Sequence, residues 1–149
     1  MSSQTSSFTD SALSDKVKEF LTRFKDKQGN YKYVDAIDAM MPKNAKYIVV
    51  DYNDLVTEPQ IEIIFSENPD RIFDAFARAI KEALQTRFPD YAEKIKEEVR
   101  VRIANFPLER SLRQINAETI GTMTSVSGMV VRASEVKPLA KELVFVCPD

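Results

Sequence analysis

The clearest chemical signal in the chain comes from five basic side chains in its last third: Arg100, Arg102, Arg113, Arg132 and Lys137. They stand on or beside segments with a β-strand pattern, not in a polybasic tail. Cationic side chains on one face of a small β-barrel can meet the phosphates of a single-stranded nucleic acid in turn, holding the backbone without reading its sequence. The same residues would also serve as solubilising strand positions, or pair with acidic groups of the preceding segment. Residues 99–149 hold seven basic and five acidic side chains, against 14 and 18 in residues 1–98. The net charge of −2 excludes a general polycation, so any nucleic-acid contact is local to the C-terminal third.

Other chemistry is largely excluded. The chain has no histidine, which removes imidazole acid–base work and Ser–His or Cys–His nucleophile pairs. No GxxxxGK[ST] loop is present, and Gly29, Gly121 and Gly128 cannot form a GxGxxG turn. Acidic pairs such as Asp35 with Asp38, or Glu97 with Glu98, fall on expected solvent faces. The chain is therefore not expected to be an enzyme by itself. Cys147 is the single cysteine, so no intrachain disulfide forms. A lone cysteine at a strand end is commonly a small buried hydrophobe. Followed by Pro148, it also resembles the lead-in to a zinc knuckle, a zinc thiolate whose other ligands would lie beyond Asp149.

These residues need elements to position them, and 149 residues suffice for one ordinary domain or two small ones. Residues 1–9 are polar and read as a frayed tail, with neither a signal peptide's apolar core nor any membrane-spanning apolar run in the chain, so a cytosolic address is expected. Val17, Phe20, Leu21 and Phe24 line one face of a first helix, with Ser11 or Ser14 as its N-cap. Gly29-Asn30 stops that element, and Tyr33, Val34, Ile37, Met40 and Met41 repeat the spacing up to Pro42. Tyr47-Ile48-Val49-Val50 reads as a buried strand, and Asn53-Asp54 as the cap of a short helical turn. Glu58-Pro59 opens another short helix. Asn68-Pro69-Asp70 is the strongest helix start, followed by Ile72, Phe73, Phe76, Ile80, Ala83 and Leu84 at helical period. Tyr91 to Glu98 adds one more short helix.

At Val99 the period changes from 3.6 to 2, with Val99, Val101 and Ile103 alternating with Arg100, Arg102 and Ala104. A second strand is expected from Met123 to Arg132, with Gly128 as a bulge or bend, and a third from Leu143 to Cys147 after a turn at Lys137-Pro138. The expected fold class is α+β, with a tail over 1–9, a helical unit over 10–97 and β structure over 98–149. Three strands cannot close a barrel, and the last would leave an unpaired edge, so a piece of a longer chain is expected.

Leu112-Arg113-Gln114-Ile115, Ile120-Gly121-Thr122-Met123, Val126-Ser127-Gly128-Met129-Val130-Val131-Arg132, Val136-Lys137-Pro138 and Phe145-Val146-Cys147 together resemble the N-terminal region of the MCM replicative helicases, of archaeal type. Tyr47 to Leu55 and Asn68-Pro69 agree with it, so that the resemblance covers residues 14–149. It implies that residues 10–97 are the family's peripheral helical subdomain, and that 98–149 are the first strands of an OB-fold. The zinc-binding insertion would begin at Cys147, and the hairpin and AAA+ ATPase would follow. Arg132 and Lys137 match positions where the family places single-stranded DNA contacts, while Arg113 matches an L-R motif arginine that serves DNA or a subunit contact. The resemblance implies single- and double-stranded DNA and a homo-hexamer as partners, no membrane, and zinc and ATP with magnesium as cofactors of the parent protein only. It also implies a nucleoid-associated place in an archaeal cytoplasm. The different-class alternative is a structural module that docks a protein and binds no DNA.

Overall fold

A computed structural model describes residues 9–95 and 99–138. Its elements in chain order are α1 (Asp10–Arg23), α2 (Lys32–Asp38), β1 (Tyr47–Asp51), α3 (Tyr52–Leu55), α4 (Pro59–Glu67), α5 (Pro69–Arg87), α6 (Pro89–Ile95), β2 (Arg100–Ala104), β3 (Glu109–Arg110) and β4 (Ser125–Val126). Two 3-10 turns, Leu112–Gln114 and Ala117–Thr119, lie between β3 and β4. The fold is α+β, as its sequence patterns imply.

The α1 helix begins one turn earlier than expected. Thr9, not Ser11 or Ser14, is its N-cap, with Oγ1 accepting from the Ala12 N–H at 3.3 Å. Leu13, Val17, Phe20 and Leu21 form the buried stripe. The next loop turns on Asp26, whose Oδ1 accepts from the Gln28 and Asn30 N–H groups at 2.8 and 2.9 Å. Gly29 sits there at φ +86°, a left-handed conformation that a Cβ would strain. The α5 helix starts where the sequence places it. Asn68 is the N-cap and Pro69 occupies the first turn, where a missing N–H costs nothing.

The core gathers around α5. Ile72, Phe76, Ile80 and Leu84 are fully buried and belong to one cluster with Val17, Phe20 and Leu21 of α1. Phe20 meets Phe76 edge-on at 6.2 Å between ring centres, a favourable aromatic geometry. Tyr33, Ile37 and Met40 close the cluster from α2, and Ile61, Ile64 and Phe65 from α4.

The strands depart most from expectation. β1 is half-buried: Ile48 and Val50 face the core, while Tyr47 and Val49 are 39% and 49% exposed. Its partner is β2, in a parallel ladder that sets Tyr47 opposite Arg100 and Val49 opposite Arg102. Parallel neighbours need a long crossover, and α3 to α6 supply it. β2 was expected to open the C-terminal β unit, yet it completes the sheet of the helical unit. The period-2 pattern at 99–104 correctly marks a strand but carries no information about its partner.

The strand expected from Met123 to Arg132 shrinks to Ser125–Val126, paired in parallel with Glu109–Arg110. A ladder extends only as far as a partner runs beside it, and β3 is two residues long. Residues 127–138 have no regular structure, and Met129, Val130 and Val131 are largely exposed. Gly128 therefore has no ladder in which to make a bulge. The strand expected over Leu143–Cys147 lies outside the described residues, as does the tail expected over 1–9 except for Thr9.

Candidate nucleic-acid interface

Arg132 and Lys137 are both exposed, on the irregular segment that follows β4. Neither makes a hydrogen bond or ion pair with any described residue. The strand end expected at Arg132 is not formed there, and the turn expected at Lys137-Pro138 runs into residues outside the described ones. Their side chains can be approached from solvent, and no carboxylate of the described residues pairs with them. Successive phosphates of a strand crossing this segment could meet the two in turn, in the manner of backbone tracking.

Arg113 stands apart from them in the 3-10 turn Leu112–Gln114, also exposed and without a partner among the described residues. That turn is fixed by Gln114, whose Oε1 accepts from the Ser111 N–H at 2.9 Å. A second anchor lies in front of it, where the Ser127 hydroxyl donates to the Glu109 carboxylate across β3 and β4. Arg110, which sequence reasoning passed over, is half-buried in a pocket of about 260 Å³ lined by Tyr52, Phe65, Phe106 and Met123, and its Nε finds no acceptor there.

The described residues contain no group of three or more His, Cys, Asp or Glu side chains able to hold a metal ion. Cys147, the zinc ligand expected from the sequence, lies outside them.

The junction of β1 with α2 and α3 is held by a polar network that no local sequence pattern marks. Tyr33 is fully buried apart from its hydroxyl's partners: it donates to Asp54 Oδ2 at 2.6 Å and accepts from the Asp51 N–H at 3.2 Å. Lys32 Nζ reaches the same Asp54 oxygen at 2.6 Å. Burial, reinforced by the Asp54 carboxylate, pushes the Tyr33 hydroxyl far above its ordinary value. Asp51 caps α3 through the Asn53 N–H at 2.9 Å and accepts from the Asn105 amide at 2.6 Å. Burial alone would raise the Asp51 carboxyl, but these hydrogen bonds and the Lys32 charge outweigh it and hold it below the usual range. Asn105, at φ +57°, ends β2 and aims the chain toward β3.

The segments just described coincide with two family models: the MCM N-terminal domain matches residues 14–105, and the MCM OB domain matches residues 111–149. The first model ends immediately after β2, in keeping with that strand's place in the β1 sheet. Among curated proteins, the DNA replication licensing factor mcm2 of Schizosaccharomyces pombe is 31% identical over 131 residues, 87% of this chain and 16% of that protein. The maternal DNA replication licensing factor mcm6 of Xenopus tropicalis is 29% identical over 142 residues, 92% of this chain and 17% of its own length. The minichromosome maintenance protein MCM of Saccharolobus solfataricus is 29% identical over 122 residues, 80% and 17% respectively. The chain thus spans about a sixth of the length of these relatives. With a helical unit and a following OB segment each matched in order, the chain belongs to the MCM family.

Proposed function

We propose that this chain acts as the DNA-binding and ring-forming module of an MCM replicative helicase of archaeal type. In this reading it contacts single-stranded DNA through Arg132 and Lys137 during DNA replication, and double-stranded DNA is a further partner. The single observation that carries the proposal is the state of those two side chains: exposed, unpaired among the described residues, and inside the stretch matched by the MCM OB domain. The relatives named as replication licensing factors support the replication setting, and the Saccharolobus solfataricus relative supports the archaeal type. Arg113 serves either DNA or a neighbouring subunit of a homo-hexamer. The division into a helical module that includes β2 and an OB module that follows it, with ring assembly and a nucleoid-associated cytoplasmic location, belongs to the same proposal. So do zinc at Cys147 and ATP with magnesium in the parent protein. Catalysis is assigned to no residue of this chain.

Exposed Met129, Val130, Val131 and Val136 favour a second reading, a structural interaction module that binds no DNA. Affinity for an oligothymidylate across a salt series separates the two. DNA binding through phosphates gives a log–log line falling by about 0.7 per phosphate contacted on a single strand. Absence of salt-dependent binding would leave only the interaction module.

A further inference from the structure

The outer face of the β1–β2 sheet is a basic and aromatic surface that neither Arg132 nor Lys137 touches. In a strand, alternate side chains share a face, and the parallel register places Tyr47 and Val49 beside Arg100 and Arg102 on the solvent side. The Arg102 guanidinium lies 3.9 Å from the centre of the Tyr47 ring, a cation–π stack that fixes both side chains. Lys46, Tyr47, Arg100, Val101 and Arg102 line a shallow groove of about 570 Å³ on this face. Neither arginine has an acidic partner among the described residues. Beside the two arginines, Tyr47 and Val49 stay 39% and 49% exposed, so apolar surface is left open next to the charges. The surface is also the exception to its surroundings, because residues 1–98 are acidic overall. A polyanion is therefore drawn to this groove and not to the helical unit at large.

We infer that the outer β1–β2 face is a second, independent binding site for single-stranded nucleic acid, with Arg100 and Arg102 on successive phosphates and a base against Tyr47 and Val49. Two residues along a strand stand about 6.6 Å apart, which is the order of separation of neighbouring phosphates on an extended strand. The rigid aromatic and guanidinium pair supplies the stacking platform that separates nucleic acid from an acidic peptide, which has charge but no base to stack.

The test measures affinity of the chain for an oligothymidylate across a salt series, with three variants and the Arg132→Ala/Lys137→Ala pair beside them. In the Arg132→Ala/Lys137→Ala background, where this face alone binds, Arg100→Ala/Arg102→Ala should flatten the slope by about 1.4 and weaken binding about 25-fold at 0.1 M salt, about 5-fold per arginine. Arg100→Lys/Arg102→Lys should keep the slope, showing that charge and not folding was lost. Tyr47→Leu should weaken binding with the slope unchanged. These effects are read in that background, so failure of one site is told from failure of the other. An unaltered slope in Arg100→Ala/Arg102→Ala, with unchanged circular dichroism, would overturn the inference. Displacement of the oligonucleotide by polyglutamate of equal charge, at equal concentration, would overturn it too, by showing a site for acidic peptide.

Discussion

Replacing Phe76 by alanine tests the packing from which every other statement about the helical unit follows. Phe76 is fully buried on α5, faces Phe20 of α1 edge-on at 6.2 Å, and stands between Ile72 and Ile80, which are also fully buried. A buried phenylalanine cut to alanine costs about 3–5 kcal/mol, the loss being larger where neighbours cannot collapse into the hole. Here the neighbours are helix-borne and already in contact on every side, which favours the upper half of that range. A cooperative unit of roughly 95 residues, at about 2.1 cal/mol/K per residue, has an unfolding entropy near 0.2 kcal/mol/K, so 4 kcal/mol corresponds to a drop of about 20 °C in Tm. Thermal and urea unfolding followed by far-UV circular dichroism measures both. A loss below about 1 kcal/mol with an unchanged urea slope would show that α5 does not pack on α1 through this face.

Tyr33→Phe should cost about 1–3 kcal/mol in the same assays, because it leaves the Asp51 N–H without the hydroxyl that accepts from it at 3.2 Å; a neutral result would remove the network from the account of how β1 is anchored. Tyrosinate absorbance during alkaline titration should show Tyr33, Tyr52 and Tyr91 ionising above the ordinary value of 10.0, held up first by burial, and in Tyr33 and Tyr52 also by the Asp54 and Glu62 carboxylates. Because the folded-state values are raised, the stability these groups lend is complete below the ordinary tyrosine value and falls away as pH rises past it, with ionisation of Tyr33 accompanying loss of helix signal. Ionisation of all five tyrosines in one step at the ordinary value, with the fold intact, would contradict the buried placement of Tyr33.

Local signals in the sequence carried far, and non-local ones did not. Asn68-Pro69 and the Ile72, Phe76, Ile80, Leu84 spacing located α5 because capping and amphipathic period are properties of adjacent residues. The alternation at 99–104 located a strand, but its pairing with Tyr47–Asp51 depends on a crossover of four intervening helices, which no window of residues contains. For that reason the groove between Tyr47 and the two arginines was invisible, although Arg100 and Arg102 alternate with the apolar residues of that strand. From Met123 to Arg132 β-branched residues suggested a strand, yet a strand exists only where a second one runs beside it, and here pairing ends at Val126. Arg132 and Lys137 were legible as residue types. Their setting on an irregular, exposed segment was not, because it depends on that same missing ladder. The Tyr33–Asp54 contact spans 21 positions and joins two residues that separately look like a core aromatic and a turn aspartate.

In the proposed function, Arg132 and Lys137 hold a single DNA strand by its phosphates. The most direct measurement is oligothymidylate affinity at several salt concentrations for the chain and for Arg132→Ala/Lys137→Ala, with melting temperature recorded on both. The account predicts a slope flattened by about 0.7–1.4 units in the variant, with stability changed by no more than about 0.5 kcal/mol, as is usual for exposed charges. An unchanged slope with intact folding would remove these residues from the DNA path, and a collapsed melting temperature would show them to be structural.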